Sequence, residues 1–221
     1  MLYILATPIG NLKDFSERGE NILQKVDLII AENPGHSQIL LTHFGIAKKR
    51  IIQFAEHNEQ KALPKIITEL KKLDAVLISD AGTPGISDPG FRLVRAAIAE
   101  GIEVSPIPGP SAAISALCAS GLPTDKFVFL GFVPKTEVKL IRELEQIKNI
   151  QATVVFYESP QRISKTLEYI SNNFPDAKVV VARELTKIHE EFLRGSVKEV
   201  LEKLQNKTSI KGEITVVLSF K

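Results

Sequence analysis

Short apolar runs alternate with longer amphipathic stretches along the whole of this 221-residue chain. Runs rich in Ile, Leu, Val and Ala, bounded by polar or turn-forming residues, have the length of buried strands rather than helices. They fall at Leu2–Ala6, Leu28–Ala31, Arg50–Phe54, Ala75–Ser79 and Glu103–Ile107. Between them apolar residues return every three or four positions, which predicts helices over Phe15–Val26, Ser37–Phe44, Glu59–Leu73 and Pro89–Glu100. In the last of these Phe91, Val94 and Ile98 share one face, and Gly101 follows where a left-handed C-cap is expected. This alternation predicts an α/β domain built on a largely parallel sheet.

Pro106-Ile-Pro-Gly-Pro110 interrupts the pattern, and Ser111 then opens an apolar helix over Ala112–Ala119. A proline just before a helix suits its first turn, so a domain boundary is expected here, dividing the chain into residues 1–110 and 111–221. Strands are predicted beyond it at Phe127–Phe132, Thr153–Tyr157, Val179–Arg183, Glu191–Gly195 and Glu213–Phe220. Helices are predicted over Glu137–Lys148, Gln161–Asn173 and Val197–Gln205. The last strands follow one another with less helix between them, so the second domain is expected to be α/β with a mixed, partly antiparallel sheet.

Composition narrows the class without choosing a function. Hydrophobic residues at 44% and charged residues at 24% are those of an ordinary globular chain. No apolar run approaches the roughly 20 residues of a membrane-spanning helix. Met1–Ala6 reads as a first strand rather than a signal peptide, so a cytoplasmic location is expected. The single cysteine, Cys118, excludes an internal disulfide and reads as a small buried residue on its helix. A net charge of +2 does not point to nucleic acid by itself. His36, His43, His57 and His189 have no ligand spacing, so no metal is expected.

Candidate chemistry gathers in loops after strands, where open α/β sheets place their ligands. Thr7-Pro8-Ile9-Gly10-Asn11-Leu12 is a small-residue turn that lets backbone N–H groups approach a ligand, though a plain connecting turn explains it nearly as well. Ser79 to Gly90 is richer in Asp, Gly, Pro and Ser than a connection needs. Within it Asp80 is a candidate acceptor for a ligand's ammonium or hydroxyl groups, while Asp88 reads as the N-cap of the helix opened by Pro89. Ser111 reads equally as a helix cap or a ligand contact. In the second half, Arg162, Arg183 and Lys187 bring positive charge to strand ends, suitable for phosphates. Glu158 and Glu184 are candidate proton acceptors, and the alternative is that these charges pair with one another.

Several segments together carry a resemblance. They are Ala6-Thr-Pro-Ile-Gly-Asn-Leu12, Ile78-Ser-Asp-Ala-Gly-Thr-Pro84, Ile86-Ser-Asp-Pro-Gly90 and Ala119-Ser-Gly-Leu-Pro-Thr-Asp125. Phe156-Tyr-Glu-Ser-Pro160, Ala182-Arg-Glu-Leu-Thr-Lys187 and Glu190-Glu-Phe-Leu-Arg-Gly195 complete the set. In this order, from Leu2 to about Leu218, the chain resembles the bacterial small-subunit rRNA (cytidine-2′-O)-methyltransferases of the tetrapyrrole methylase superfamily. The resemblance implies two α/β domains of the tetrapyrrole methylase type with an S-adenosylmethionine cleft between them, and a homodimer. It implies cofactor contacts at Pro8, Gly10, Asp80, Thr83, Ser111 and Ala112, with Tyr157, Leu185 and Gly212 closing the pocket. The implied substrate is a cytidine 2′-hydroxyl in the decoding region of small-subunit rRNA.

A ribose hydroxyl is a weak nucleophile, so its attack on a sulfonium methyl benefits from a positioned base. Glu158 and Glu184 are the expected bases, Lys187 joins them as a catalytic residue, and Arg162 and Arg183 are expected on substrate RNA. Two departures from the family pattern stand out. Glu32-Asn33-Pro34-Gly35 replaces the usual Glu-Asp-Thr-Arg, losing an acid and an arginine, and is expected to reshape its loop. The helical region that longer members carry past the final strand has no counterpart before Lys221. The rival readings are a precorrin-type C-methyltransferase and a non-catalytic ribosome-associated binding protein of the same fold.

Overall fold

The five apolar runs of the first half become the strands β1 (Leu2–Leu5), β2 (Leu28–Ala31), β3 (Arg50–Gln53), β4 (Ala75–Ile78) and β5 (Val104–Ile107). They form one sheet in the order β3-β2-β4-β1-β5, with every pairing parallel. The structure is a computed structural model that describes residues 1–46 and 48–221. It divides the chain into two units, Met1–Ser111 and Ala112–Lys221. Helices α1 (Glu17–Lys25), α2 (Pro34–His43), α3 (Glu59–Leu70) and α4 (Phe91–Ala99) link the strands of the first unit.

Strands that read as unbroken apolar runs must be covered on both faces, and this sheet is. Leu5, Ile29 and Val76 pack with Leu23 of α1 and Leu41 of α2 on one side. Leu2, Leu28, Ile30 and Leu77 pack with Ile66 of α3 and Leu93 of α4 on the other. The face of α4 that holds Phe91, Val94 and Ile98 is not the one turned to the sheet. Leu93 and Ala97 are its buried residues, whereas Phe91 and Ile98 are 65% and 62% exposed. The helix carries two apolar stripes, and the one with a small alanine lies against the sheet.

The second unit holds α5 (Ala112–Ser120), β6 (Phe127–Phe132), α6 (Glu137–Asn149), β7 (Thr153–Glu158), α7 (Ile163–Asn173), β8 (Lys178–Arg183), β9 (Glu191–Ser196), α8 (Val197–Gln205) and β10 (Ile214–Ser219). Its sheet order is β6-β7-β10-β8-β9. Only β6 and β7 run parallel; the other pairs are antiparallel, as the short connections predict. Val154, Phe156, Val179, Val216 and Leu218 meet apolar residues of α6, α7 and α8 in one core. Ser196 starts α8 with a capping box, its hydroxyl taking the Glu199 N–H while the Glu199 carboxylate takes the Ser196 N–H. Cys118 departs from expectation: it is exposed, because Ala113, Ala116, Leu117 and Ser120 form the buried side of α5.

Candidate active site

Parallel strands deliver their following loops to one edge of the sheet, and the strand order decides which loops meet. Because β4 lies between β2 and β1, the loop after β4 stands between Glu32, after β2, and Thr7-Pro8-Ile9-Gly10, after β1. Thr7 and Gly82 exchange backbone hydrogen bonds of 2.8 and 3.0 Å across the loops. The Thr83 hydroxyl donates to the Pro110 carbonyl at 3.2 Å, tying in the loop after β5. Gly82 and Gly85, at φ +81° and +82°, supply the left-handed backbone that these turns require. Sequence-predicted Pro8, Gly10, Asp80, Thr83 and Ser111 thus belong to one rim of the first unit, with Pro8, Asp80, Thr83 and Ser111 half-buried and Gly10 exposed.

That rim gathers three acids, Glu32, Asp80 and Asp88. Burial raises the Glu32 carboxyl above its ordinary range and nearby Asp80 adds to this, while the backbone N–H of Asp80 opposes it. Burial, assisted by Glu32 and Asp80, pushes Asp88 up to about 6, against a hydrogen bond with Ser79. None of the three is in a salt bridge among the described residues. The Asp80 Oδ1 atom is buried and has no hydrogen-bond partner. A buried acceptor left empty is costly unless a ligand fills it, so this rim suits a ligand bearing positive charge or N–H and O–H donors. A recess of about 60 Å³ lined by Thr7, Pro8, His36, Ser79 and Asp80 has room for about two waters.

One sequence expectation changes at this rim. Asp88 does not cap α4, which begins at Phe91 after Gly90; its carboxyl turns to Ser79 instead. The segment Glu32-Asn33-Pro34-Gly35 leads directly into α2. Asn33 caps α2, accepting from the N–H groups of Gly35 and His36 at 3.1 and 3.4 Å, and Pro34 occupies the first turn. Glu32 and Asp88 are the acids that sequence reasoning did not place in a site. Each lies past a strand end; Asp88 shares the loop of Asp80, and the β2–β4 adjacency brings Glu32 to them.

Carboxylates of the second unit are satisfied by their neighbours. Glu158 has a fully buried side chain and pairs with Arg162 at 3.0 Å. It also accepts from the Thr166 hydroxyl and the Ser159 N–H, each at 2.7 Å. Arg162 donates to the Val133 carbonyl at 2.8 Å as well. Glu184 accepts from the Glu213 N–H and from Lys187 Nζ, both at 2.9 Å, and these two bonds, the first above all, hold its carboxyl below the ordinary range. Burial alone would lower the Lys187 ammonium, but its bonds to Glu184 and Glu213 outweigh that and raise it. Arg183 pairs with Glu191 at 3.1 Å and donates to the Lys211 carbonyl at 3.0 Å.

This geometry runs against Glu158 and Glu184 as general bases. A proton acceptor needs a free lone pair and an affinity for protons near neutrality; Glu184 is held below its ordinary range, and both oxygens of Glu158 are already bonded. Their arrangement instead fixes loops. Gly212, at φ +91°, sits so close to the Glu184 carboxyl that an added Cβ would overlap it, so the Lys211-Gly212-Glu213 turn is locked to the end of β8. Glu184 and Thr186 themselves take left-handed backbone, φ +52° and +65°, at a cost of order 1 kcal/mol each that the surrounding bonds must hold. Tyr157 is half-buried, Leu185 is 8% exposed, and Ala112 opens α5.

Among the described residues no group of three or more His, Cys, Asp or Glu side chains is arranged to hold a metal ion. No helix of the described residues is long and apolar enough to cross a membrane.

Similarity to known proteins follows the same outline. Residues 1–201 match the family described as Tetrapyrrole (Corrin/Porphyrin) Methylases. The ribosomal RNA small subunit methyltransferase I of Hydrogenobaculum sp. (strain Y04AAS1) is 48% identical over 99% of this chain and 95% of its own length. Its counterpart in Thermotoga maritima is 45% identical over 100% of this chain and 98% of its own. Among solved structures, a diphthine synthase superposes with a TM-score of 0.76 at 16% identity, over 99% of this chain and 89% of that one, and so shares the fold. The chain belongs to the tetrapyrrole methylase family and, within it, to the ribosomal RNA small subunit methyltransferases I.

Proposed function

We propose that this chain transfers a methyl group from S-adenosylmethionine to the 2′-hydroxyl of a cytidine in the decoding region of small-subunit rRNA. Membership of the family carries the coarser part, an S-adenosylmethionine-dependent methyltransferase of small-subunit rRNA. The ribose hydroxyl, the cytidine and the decoding region are our reading. The observation that supports it best is 45–48% identity to rRNA methyltransferases along nearly their whole length.

When bound, S-adenosylmethionine supplies an activated methyl group on a cationic sulfur. The chain's own part is to bind, orient and exclude water. The first-unit rim fits a cationic nucleoside ligand, because Asp80 Oδ1 is buried without a partner and three acids gather there. We assign Pro8, Gly10, Asp80, Thr83, Ser111 and Ala112 to holding the cofactor, with Tyr157, Leu185 and Gly212 as further contacts. Glu184 and Lys187 are assigned to positioning, since each holds the other and the Glu213 turn. Arg162 and Arg183 retain positive charge at strand ends and are assigned to the RNA side. Asp88, whose carboxyl burial pushes up to about 6, is assigned as proton acceptor ahead of Glu184, whose carboxyl is held below its ordinary range.

A homodimer is part of the same proposal, supported by Phe91 and Ile98 standing exposed two turns apart on α4. Sedimentation of the purified chain as a monomer would remove it. With a substrate on the ribosome, we place the chain's work in the cytoplasm. The test of the function is transfer of labelled methyl to small ribosomal subunits that lack the modification, read by nucleotide mapping. Label on a decoding-region ribose is the expected result. Label on a base, or at another ribose, would replace the substrate assigned here.

A further inference from the structure

Strand β6 carries an aromatic row that the methyl-transfer reading leaves unused. It is an edge strand, hydrogen-bonded only to β7. Phe129 is paired with Val155, and Phe132 with Tyr157, so one additional residue lies on the β6 side of the ladder. Gly131, at φ +63°, makes that bulge possible. Strict alternation would send Phe129 and Phe132 to opposite faces. The bulge returns Phe132 to the face of Phe129, and both rings meet Tyr157 edge-on at centroid distances of 5.0 and 5.7 Å.

Phe132 nevertheless remains 64% exposed. Its setting is rigid on the protein side. Arg162 donates to the Val133 and Pro134 carbonyls at 2.8 and 3.4 Å, clamping the two residues that follow the ring. Exposed Lys135 comes next, and exposed Lys139 stands in the first turn of α6. Neither lysine is in an ion pair among the described residues. Of the nearby acids, Glu158 is buried against Arg162 and Glu137 accepts from Asn173 at 3.1 Å.

The fold gains only the edge contact with Tyr157 from the bulge that aims this ring, and most of the ring is left to solvent. Single-stranded RNA is the partner that uses those features together. An unpaired base offers a flat apolar face to an aromatic side chain on a sheet, and its phosphates meet nearby cations. We propose that Phe132, braced by Tyr157, is a stacking platform for an unpaired base of the RNA substrate, with Lys135 and Lys139 meeting the flanking phosphates. The proposal rests on the reading of this chain as an rRNA methyltransferase and adds to it the surface that presents the acceptor strand.

The test measures methyl transfer to small ribosomal subunits by wild type, Phe132→Ala, Phe132→Leu and Phe132→Trp, with cofactor affinity measured separately by calorimetry. Loss of one stacked base should raise KM for the subunit roughly tenfold in F132A, with kcat and cofactor affinity nearly unchanged. F132W should restore KM and F132L should not, because stacking needs a π-face rather than apolar area. The chain contains no tryptophan, so F132W is also a single fluorescent reporter. Its emission should be quenched by a single-stranded oligoribonucleotide and not by cofactor alone. An unchanged KM in F132A, a parallel loss of cofactor affinity, or full rescue by F132L would each overturn the platform. Lack of quenching by protein-free RNA, with subunit KM still raised, would overturn it in favour of contact with a ribosomal protein. Should wild type fail to methylate subunits at all, the function itself falls, and the fluorescence titration still decides whether Phe132 stacks on RNA.

Discussion

Glu32, Asp80 and Asp88 of the first unit and Glu158, Glu184 and Glu191 of the second all lie at or beyond strand ends, yet their surroundings are opposite. Each of the latter three has a cation within 3.1 Å, from Arg162, Lys187, Arg183 or Lys207. The first three have one another and, at Asp80, an atom with nothing to bond. Paired carboxylates are held in place, so they serve as braces, and Glu184 and Glu191 are held below their ordinary range. In the half-buried rim Glu32 and Asp88 are instead raised, and perturbed acids of that kind gather where a ligand or a reaction uses them. Glu-rich motifs in a sequence look alike in this respect, and only the partners separate brace from site.

Breaking a brace should produce the largest effect. Arg162→Ala leaves the Glu158 carboxylate inside the second core with only the Thr166 hydroxyl and Ser159 N–H. Stranding a buried charge costs about 3–5 kcal/mol, or on the order of 10 °C in Tm for a chain of this size. Thermal unfolding by circular dichroism measures it, and a shift under about 2 °C would mean that water reaches Glu158 and that it is no brace.

Asp80→Asn makes the opposite pairing of outcomes. The variant keeps the shape and removes charge from a rim that already repels itself, so Tm should hold or rise. A ligand hydrogen-bonded to a charged group loses about 1.5–3 kcal/mol with it, so affinity for S-adenosylmethionine should fall tenfold or more. Calorimetric titration gives that value. Undiminished affinity would leave Asp80 as a structural acid and erase the contrast between the units.

Much of this was legible in the sequence, because burial imposes periodicity directly. Val197–Gln205 and Phe127–Phe132 have in the structure the bounds that the sequence predicts. Partners four or fewer residues apart, such as Glu158 with Arg162 and Glu184 with Lys187, were visible as spacing, although spacing alone did not choose pairing over catalysis. Strand order was not visible. Nothing local in Leu28–Ala31 or Ala75–Ile78 says that they are neighbours, and on that adjacency depends the meeting of Glu32 with Asp80. The same blindness hid the Glu213 N–H that occupies Glu184, which needs β8 beside β10. Asp88 was misplaced because Asp-Pro ahead of an apolar helix is a strong capping signal, and here Gly90 extends the loop past it.

The acidic rim can be sharpened by pH. Asp88 rises from 3.8 to about 6 on folding, first through burial and then through Glu32. A carboxyl raised in the folded state favours the protonated form, so its contribution to stability is full below about pH 3.8 and is lost as pH rises through about 6. Asp88→Asn cannot ionise and escapes that loss. Relative to wild type, its Tm should be level near pH 4 and climb above it by neutrality. Allowing for solvent screening of a half-buried group, the gain is about 1–2 kcal/mol, or roughly 2–6 °C. Parallel Tm curves would show that Asp88 ionises freely.

The smallest effect concerns Asn33, where the chain departs from its family's acid. Its side chain caps α2 through the Gly35 and His36 N–H groups, and the site is exposed. Asn33→Ala should therefore cost about 0.5–1 kcal/mol, the low end for a lost N-cap. Asn33→Asp is the sharper probe of the comparison. It keeps the cap and gains up to about 1 kcal/mol from the helix dipole, but it adds a fourth acid beside Glu32 in that rim. If the rim is as uncompensated as its geometry shows, these contributions oppose each other, and N33D should match wild type to within a few tenths of a kcal/mol. Chemical denaturation at low salt resolves a difference of that size only with the curves taken side by side, and N33A supplies the scale. A clear gain in N33D would mean that the rim tolerates another charge, and that the neighbouring acids are better screened than Asp80 with its empty oxygen implies.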